Sequence, residues 1–159
     1  MLSINSKIKL FLTDVDGVLT DAGMYYSENG DELKKFNTKD GKGFELLRNS
    51  AIKCGIITSE NTKIVSQRAK KLKVDYLFQD AGNKKLEIIK NLCFNEGFLL
   101  KEIAYIGDDI NDFELLSNVG LAACPNDAVE KIKNIKGIKI LSKNGGAGVV
   151  REFIELHVL

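Results

Sequence analysis

Two carboxylates at the end of an apolar run are the residues of this sequence best suited to chemistry. Asp14 and Asp16 follow the apolar residues 8–12, and Gly17 comes directly after them. Side chains of an extended strand alternate between its faces, so both carboxylates project the same way if the extended geometry continues. Two such close negative charges repel each other unless a cation lies between them. Mg²⁺, which binds through carboxylates and substrate phosphate oxygens, is the natural candidate, and an acidic surface turn is the alternative.

Further polar side chains follow other apolar segments. A hydroxyl, Thr58, ends a second apolar run, Lys84 opens a helical segment, and an acidic cluster follows a later run. The neighbouring polar residues are Ser59, Glu60, Asn61, Asp108, Asp109, Asn111 and Asp112. Several carboxylates with one hydroxyl and one lysine, and no histidine, suit phosphoryl transfer. One carboxylate can attack phosphorus, a second can exchange protons, and the hydroxyl and ammonium can bind phosphoryl oxygens.

The elements that must position these residues alternate between strand and helix. Apolar runs of strand length occur at 8–12, 52–58, 76–78, 103–106 and 119–123, and helix-favouring segments occur at 43–49, 62–72, 84–96 and 112–117. This alternation predicts a three-layer, doubly wound α/β fold with a parallel sheet. The carboxyl ends of parallel strands share one crevice, so the polar residues should meet there. We expect a single domain over residues 1–159.

Residues 23–37 depart from this alternation. Aromatic and alternating residues flank Asn29-Gly30, and Asn-Gly in that setting is the strongest short signal for a β-hairpin. A hairpin inserted after the first strand would stand at the carboxyl edge of the sheet. Because an isolated hairpin is only marginally stable in water, we expect it to pack against a neighbouring subunit.

Composition excludes several classes of function. The formal net charge is +1, with 23 basic and 22 acidic residues, so no strong field favours nucleic acid or an anionic membrane. Three separated cysteines suggest neither a zinc site nor a disulfide framework. No signal peptide or apolar run of membrane-spanning length is present, so a cytoplasmic location is expected.

The motifs together resemble the haloacid dehalogenase superfamily of phosphatases. The order Asp-x-Asp-Gly-Val, Ile-Thr, Lys and Gly-Asp-Asp-x-x-Asp carries that resemblance. The segment 14–21, the Tyr-Tyr hairpin and the segment 145–152 (Gly-Gly-Ala-Gly-Val-Val-Arg-Glu) are similar to its small capless branch. That branch hydrolyses phosphorylated 3-deoxy-2-keto sugar acids. The resemblance implies a homotetramer in which the hairpin of one subunit closes the site of its neighbour.

The resemblance also implies roles for individual residues. Asp14 would be the nucleophile, and Asp16 the general acid and base. Thr58 and Lys84 would bind the phosphoryl group. The Mg²⁺ site would comprise Asp14, Asp108 and the backbone carbonyl of Asp16. Supporting residues would be Asp109, Asn111 and Asp112, with one aspartate orienting Lys84 and another contacting metal-bound water. Substrate contacts would come from Thr58, Ser59, Glu60, Lys71, Lys84 and Arg151.

The substrate is predicted from one position. Octulosonate-type members usually carry Gly-Arg after Ile-Thr, whereas this chain has Ser59-Glu60. Residues 60–79 are more similar to the nonulosonate type. Glu60 and Lys71 are eleven residues apart, three helical turns, so both could face the sugar acid from one helix. A nonulosonate 9-phosphate of the sialic-acid type is therefore the favoured substrate, and 3-deoxy-D-manno-octulosonate 8-phosphate is the alternative.

Two interpretations from other classes are weaker. A receiver-like signalling domain also holds an aspartyl-phosphate, but its acceptor ends the third strand, where this chain has Phe78-Gln79. A non-catalytic oligomerisation module is the other alternative. The presence of Asp14, Asp16, Lys84 and Asp108 argues against it, because a degenerate module would be expected to lose some of these.

Overall fold

The computed structural model describes residues 7–159, and within them a six-stranded parallel sheet forms the centre of the fold. Its strands are β1 (Leu10–Thr13), β4 (Lys53–Ile57), β5 (Tyr76–Phe78), β6 (Ile103–Ile106), β7 (Leu121–Cys124) and β8 (Lys139–Ile140). Their spatial order is β5-β4-β1-β6-β7-β8, with β1 in the interior between β4 and β6. The order reverses beside β1, which creates the crevice in which α/β folds bind ligands.

Helices cover both faces of this sheet. They are α1 (Thr38–Asn49), α2 (Lys63–Leu72), α3 (Lys85–Glu96), α4 (Phe113–Leu116), α5 (Glu130–Lys133) and α6 (Val149–Phe153), which continues as a π-helical turn over Ile154–Val158. Strand β1 shows how the two layers arise. Phe11 packs with α1, α2 and α6 on one face, whereas Leu10 and Leu12 pack with α3, α4 and α5 on the other. The whole strand is buried, as expected for a parallel sheet covered on both sides.

The predicted hairpin is present as a separate two-stranded sheet. Strands β2 (Tyr25–Ser27) and β3 (Gly30–Leu33) pair in antiparallel register across a turn at Glu28-Asn29, directly before Gly30. Gly30 has a φ of 111°, a conformation that favours glycine. The hairpin exposes Tyr26 and Leu33 to solvent (67% and 64%), so its apolar side chains are left without cover in the single chain.

The predicted fold class is confirmed, and the deviations lie at element boundaries. Helix α1 begins at Thr38 rather than near Gly43, because Asn37 caps it by accepting a hydrogen bond from the backbone N–H of Lys39 (2.9 Å). The two glycines within α1 conceal this start. Strand β8, of two residues, and helix α6, of five residues, were not predicted. Within residues 7–159, no helix has the length and apolar character needed to cross a membrane.

Candidate active site

Strand β1 delivers the two predicted carboxylates to one cleft. Asp14 directly follows the strand, and its backbone N–H donates to the carbonyl of Ile106 on β6 (3.0 Å). Gly17 then turns the chain with a φ of 83°, and a Cβ there would lie 1.9 Å from Asp108 Oδ2. Only glycine therefore lets the loop approach the acidic cluster. The cleft, of about 170 Å³, is lined by Asp14, Asp16, Ala22, Thr58, Ser59, Asp108, Asp109 and Asn111.

Three carboxylates converge at the floor of this cleft. One oxygen each of Asp14, Asp108 and Asp112 lies within 4.8 Å of the others. Burial and the Asp112 charge raise the pKa of Asp14 well above its ordinary value, although Lys85 opposes the shift. Burial, Asp112 and Asp109 raise the pKa of Asp108 to about 7. Asp108 Oδ1 is buried without a hydrogen-bond partner. An orphaned carboxylate oxygen beside further carboxylates is an arrangement that fits a divalent cation.

Asp112 differs from the other two carboxylates because protein donors already occupy both of its oxygens. Its Oδ1 accepts from Lys85 Nζ (2.6 Å) and from the hydroxyl of Tyr105, and its Oδ2 accepts from the backbone N–H groups of Asp108 (2.9 Å) and Asp109 (3.2 Å). A carboxylate with four donors has little capacity left for a metal ion. Asp14 and Asp108 are therefore the better ligands, and Asp112 braces the lysine and the loop between them.

The lysine at the site is Lys85, which corrects the sequence-based choice of Lys84. Lys85 Nζ lies 3.1 Å from Asp14 Oδ1 and 2.6 Å from Asp112 Oδ1, and its side chain is 1% exposed. Burial lowers the pKa of Lys85, but Asp14 and Asp112 outweigh that effect and raise it. Lys84 is exposed at the N-cap of α3 and lines a different cleft with Glu87 and Lys90.

A signal for this assignment exists in the sequence, but it is weak. Lys85, Ile89, Leu92 and Cys93 are the buried residues of α3, spaced i, i+4, i+7 and i+8. That spacing places Lys85 on the inward face of the helix. Ile88 follows Lys84 by the same four residues, however, so adjacent apolar residues blur the distinction. Only the packing of α3 on the sheet decides which of two consecutive lysines turns inward.

The other predicted cleft residues lie at the carboxyl ends of the strands, as expected. Thr58, directly after β4, is buried at the cleft wall. Ser59 Oγ accepts a hydrogen bond from Asn111 Nδ2 (2.6 Å), which ties two strand ends together. Asp109 is exposed, and its Oδ1 caps the following turn by accepting from the N–H of Ile110 (2.6 Å).

A second lysine, which sequence reasoning missed, contacts the general acid candidate. Lys34 Nζ donates to Asp16 Oδ1 (2.7 Å) and to Glu60 Oε2 (3.1 Å), and its side chain is 2% exposed. Burial lowers the pKa of Lys34, but its hydrogen bonds to Asp16 and Glu60 raise it overall. Lys34 follows β3 as the first of two consecutive lysines, and no local pattern indicated that it reaches Asp16.

Three predicted substrate contacts are not brought together in the chain. Helix α2 begins at Lys63 with Thr62 as its cap, so Glu60 precedes the helix and the three-turn relation to Lys71 is wrong. Lys71 is exposed near the end of α2. Arg151 lies on α6, where its guanidinium pairs with Glu155. Neither Lys71 nor Arg151 is among the described residues that line the cleft.

Comparison with known proteins agrees with this geometry. A family model for haloacid dehalogenase-like hydrolases matches residues 55–153. The chain belongs to that family. It is 36% identical over 152 residues to the 3-deoxy-D-manno-octulosonate 8-phosphate phosphatase KdsC of Escherichia coli K12, covering 96% of this chain and 80% of the relative. The protein is therefore a phosphatase, that is, a hydrolase of phosphoric monoesters.

Solved structures of the family share its fold. The 3-deoxy-D-manno-octulosonate 8-phosphate phosphatase of Moraxella catarrhalis, solved with magnesium, phosphate and KDO, is 36% identical with a TM-score of 0.89, covering 96% of this chain and 86% of that one. The cobalt-bound deoxy-D-mannose-octulosonate 8-phosphate phosphatase of Haemophilus influenzae is 31% identical with a TM-score of 0.88, covering 95% and 87%.

Proposed function

We propose that this phosphatase hydrolyses 3-deoxy-D-manno-octulosonate 8-phosphate, with Mg²⁺ and an aspartyl-phosphate intermediate on Asp14. The observation that carries the mechanism is the buried Asp14 carboxylate, 3.1 Å from the Lys85 ammonium and beside the orphaned Asp108 oxygen at the tip of β1. A nucleophile and a metal ligand thus line one small cleft, and a buried cation lies directly beside the nucleophile. The names of the relatives support the eight-carbon substrate better than the nonulosonate favoured by the sequence.

Asp14 and Asp16 divide the reaction between them. A carboxylate oxygen of Asp14 attacks phosphorus, and the ester P–O bond breaks as Asp16 gives its proton to the departing sugar oxygen. Asp16 then takes a proton from water, whose oxygen attacks the phosphorus and releases inorganic phosphate from Asp14. The buried Lys85 ammonium and the Thr58 hydroxyl hydrogen-bond the phosphoryl oxygens, whose charge would otherwise oppose the approach of Asp14.

Asp14, Asp108 and the backbone carbonyl of Asp16 would hold the magnesium ion. When bound, the ion supplies positive charge that offsets the repulsion between the anionic nucleophile and the anionic ester. Asp112 fixes Lys85 through Oδ1 and the backbone of the Asp108 loop through Oδ2. The ligand and the phosphate-binding lysine are therefore held by one buried side chain.

A nonulosonate 9-phosphate is the second candidate, because position 60 carries Glu rather than Arg. A carboxylate there accepts hydrogen bonds from sugar hydroxyls instead of pairing with an anionic group. In the structure, however, Glu60 already pairs with Lys34 (3.1 Å). This pair explains a glutamate at position 60 without any contact to substrate. One pocket contact discriminates poorly between long substrates.

Phosphate release from the two sugar acid phosphates tests the proposal. With Mg²⁺ present, kcat/KM for the octulosonate 8-phosphate should exceed that for a nonulosonate 9-phosphate by about tenfold or more. The reverse preference would overturn the eight-carbon assignment in favour of the second candidate. Asp14→Asn serves as the control for mechanism, because activity that survives this change contradicts the nucleophile assignment.

The assembly proposed for this phosphatase is a homotetramer in which the hairpin, residues 23–37, closes the site of a neighbour. The exposed Tyr26 and Leu33 side chains support it, since an apolar hairpin without cover is unstable in water. Closure from a neighbouring subunit would also exclude water from a cleft that this chain alone leaves open.

A further inference from the structure

Lys34 is a buried side chain that bridges two partly exposed carboxylates, Asp16 and Glu60. Its ammonium lies 2.7 Å from Asp16 Oδ1 and 3.1 Å from Glu60 Oε2, and only 2% of its side chain is exposed. The next residue provides a contrast. Lys35 pairs with Asp21 at 3.1 Å, but 62% of its side chain is exposed. Surface pairs such as that one contribute little, whereas a buried ammonium requires partners of fixed geometry.

The bridge connects three separate parts of the chain. Lys34 follows hairpin strand β3, Asp16 lies in the loop after β1, and Glu60 lies between β4 and α2. With Oδ1 of Asp16 held by the ammonium, rotation of that carboxylate is restricted. The second oxygen is then left for proton exchange with the sugar oxygen. Proton transfer depends steeply on such positioning, because donor and acceptor must come within hydrogen-bond distance.

We infer that Lys34 is a positioning residue that orients Asp16 for proton transfer, and that Glu60 acts by holding Lys34 rather than by binding substrate. This inference rests on the proposed function of Asp16 as general acid. It gives Glu60 a role that does not depend on the length of the sugar acid. It also makes the segment that follows β3 part of the catalytic apparatus of its own subunit.

Substrates with two classes of leaving group distinguish a positioning role of Lys34 from a merely structural role. An alkoxide of a sugar needs a proton to depart, whereas p-nitrophenolate departs without one. Lys34→Met should lower kcat/KM for the alkyl phosphate by about 10²-fold, the range of general acid catalysis, through kcat with KM little changed. For p-nitrophenyl phosphate the same variant should lose less than about tenfold. Lys34→Arg should recover part of the loss. Lys53→Met is the control that should behave as wild type, because Lys53 forms an exposed pair with Asp75 at the amino end of β4.

Glu60→Gln, alone and combined with Lys34→Met, tests the second half of the inference. If Glu60 acts through Lys34, its substitution lowers kcat/KM in the wild-type background and has no further effect when Lys34 is already Met. Additive losses on the sugar acid phosphate would show that Glu60 contacts substrate and would overturn this half. Thermal unfolding of the same four proteins gives an activity-independent measure, in which the two substitutions should also be non-additive.

The outcomes distinguish this inference from the proposed function. Equal losses of Lys34→Met on alkyl and aryl phosphates, with the midpoint of unfolding unchanged, overturn the positioning role while the phosphatase mechanism stands. If wild type rejects the octulosonate 8-phosphate, the substrate assignment fails. The comparison is then made with whichever alkyl phosphate wild type hydrolyses. If Lys34→Met does not fold, Lys34→Gln and Lys34→Arg provide the same comparison of leaving groups.

Discussion

At the scale of single residues, the site combines three clustered carboxylates, two of them buried and one partly buried, with one buried ammonium. Lys85 contacts both Asp14 and Asp112, whereas Asp108 Oδ1 has no protein partner. Burial and the neighbouring carboxylates raise the pKa values of Asp14 and Asp108, and the one ammonium offsets only part of this effect. The remaining imbalance is what a divalent cation would correct.

Replacing Lys85 with Met should lower kcat by about 10²-fold or more, because the phosphoryl oxygens lose a preorganised cation. Its matched control is the adjacent residue. Lys84→Met should retain activity close to wild type, since Lys84 is exposed and faces another cleft. Steady-state kinetics with a circular dichroism check of folding measures both. Greater damage from Lys84→Met would return the catalytic role to the residue first predicted.

Magnesium should raise the midpoint of thermal unfolding, because it binds the native acidic cluster and not the unfolded chain. At one hundred times its Kd, the gain in unfolding free energy is about 2.7 kcal/mol. Asp108→Asn should abolish most of this gain while stabilising the metal-free protein, since it removes one of the repelling charges. Chelator-treated protein titrated with Mg²⁺ in a scanning calorimeter provides the measurement.

The control for that titration is Asp109→Asn, which changes an exposed neighbour. An undiminished magnesium effect in the Asp108 variant would remove this carboxylate from the proposed ligand set.

At the scale of elements, the loops that carry the site are held by close backbone packing. The Gly145-Gly146 turn lies directly against the loop after β1, where Gly146 N–H donates to the carbonyl of Val18 (2.9 Å). Gly145 N–H donates to Asp127 Oδ1 (2.9 Å). This packing provides a physical reason for the Gly145-Gly146 pair. From the sequence, the pair was noted only as part of the segment that is similar to the capless branch.

Gly145→Ala should destabilise the protein by about 2–3 kcal/mol, the upper range for overpacking, and reduce activity through the Asp16 loop. A Cβ at this position would lie 2.0 Å from the carbonyl oxygen of Gly17. Gly137→Ala is the control, because that glycine has open space and a φ of 83°, so only backbone strain of about 1 kcal/mol applies. Chemical denaturation of both variants compares them. Equal losses would contradict the steric explanation.

Helix α6 has an unusual cap that makes stability depend on pH. Gly148 precedes the helix without a side-chain cap, and the buried Asp40 of α1 supplies the acceptor instead, through Oδ1 to the N–H of Arg151 (2.9 Å). Burial raises the pKa of Asp40 to about 6, from an ordinary value of 3.8. Between these two values the native state holds a proton that the unfolded chain has lost. The contribution of Asp40 to stability therefore falls as pH rises from about 4 to about 6.

Asp40→Asn removes this titration while keeping an oxygen acceptor. Relative to wild type, the variant should gain on the order of 2–3 kcal/mol of unfolding free energy between pH 4 and pH 7, and nothing further above that range. Urea denaturation at several pH values measures the difference, in which the titration of other carboxylates cancels. A difference that stays constant across this range would show that Asp40 is not buried as a raised-pKa acid.

At the scale of the whole molecule, two cores share one sheet, and a hairpin projects from its carboxyl edge. The described residues meet the expectation of a central sheet covered on both faces. That residues 1–159 form a single domain stays a prediction. The hairpin is one part of the described chain in which large apolar side chains, Tyr26 and Leu33, face solvent.

Replacing Tyr26 and Leu33 together with Ser should shift the protein to a smaller assembly and lower its activity, if the hairpin packs against a neighbour. The control is Phe94→Ser, which removes an apolar side chain of 89% exposure on α3, an element separate from the hairpin. Sedimentation velocity and kcat/KM, measured at the same protein concentration, decide the outcome. An unchanged assembly with full activity in the double variant would contradict the proposed tetramer.

The sequence by itself determined the features that depend on local pattern. Strand-length apolar runs alternating with helical segments were sufficient for the α/β fold, and Asn29-Gly30 was sufficient for the hairpin. The placement of Asp14, Asp16, Thr58 and Asp108 at strand ends followed from the parallel sheet, because such ends share one edge. These inferences succeed since the period of a strand or helix and the preference of a turn are properties of neighbouring residues.

Only the tertiary structure decided which side chains meet. Lys85 rather than Lys84 reaches Asp14 because α3 packs with that face on the sheet, a rotation that two consecutive lysines do not specify. Lys34 reaches Asp16 and Glu60 across 18 and 26 residues of sequence. Glu60 precedes α2 because Thr62 caps the helix. Contacts of this kind depend on how elements pack at a distance along the chain, and no local pattern encodes them.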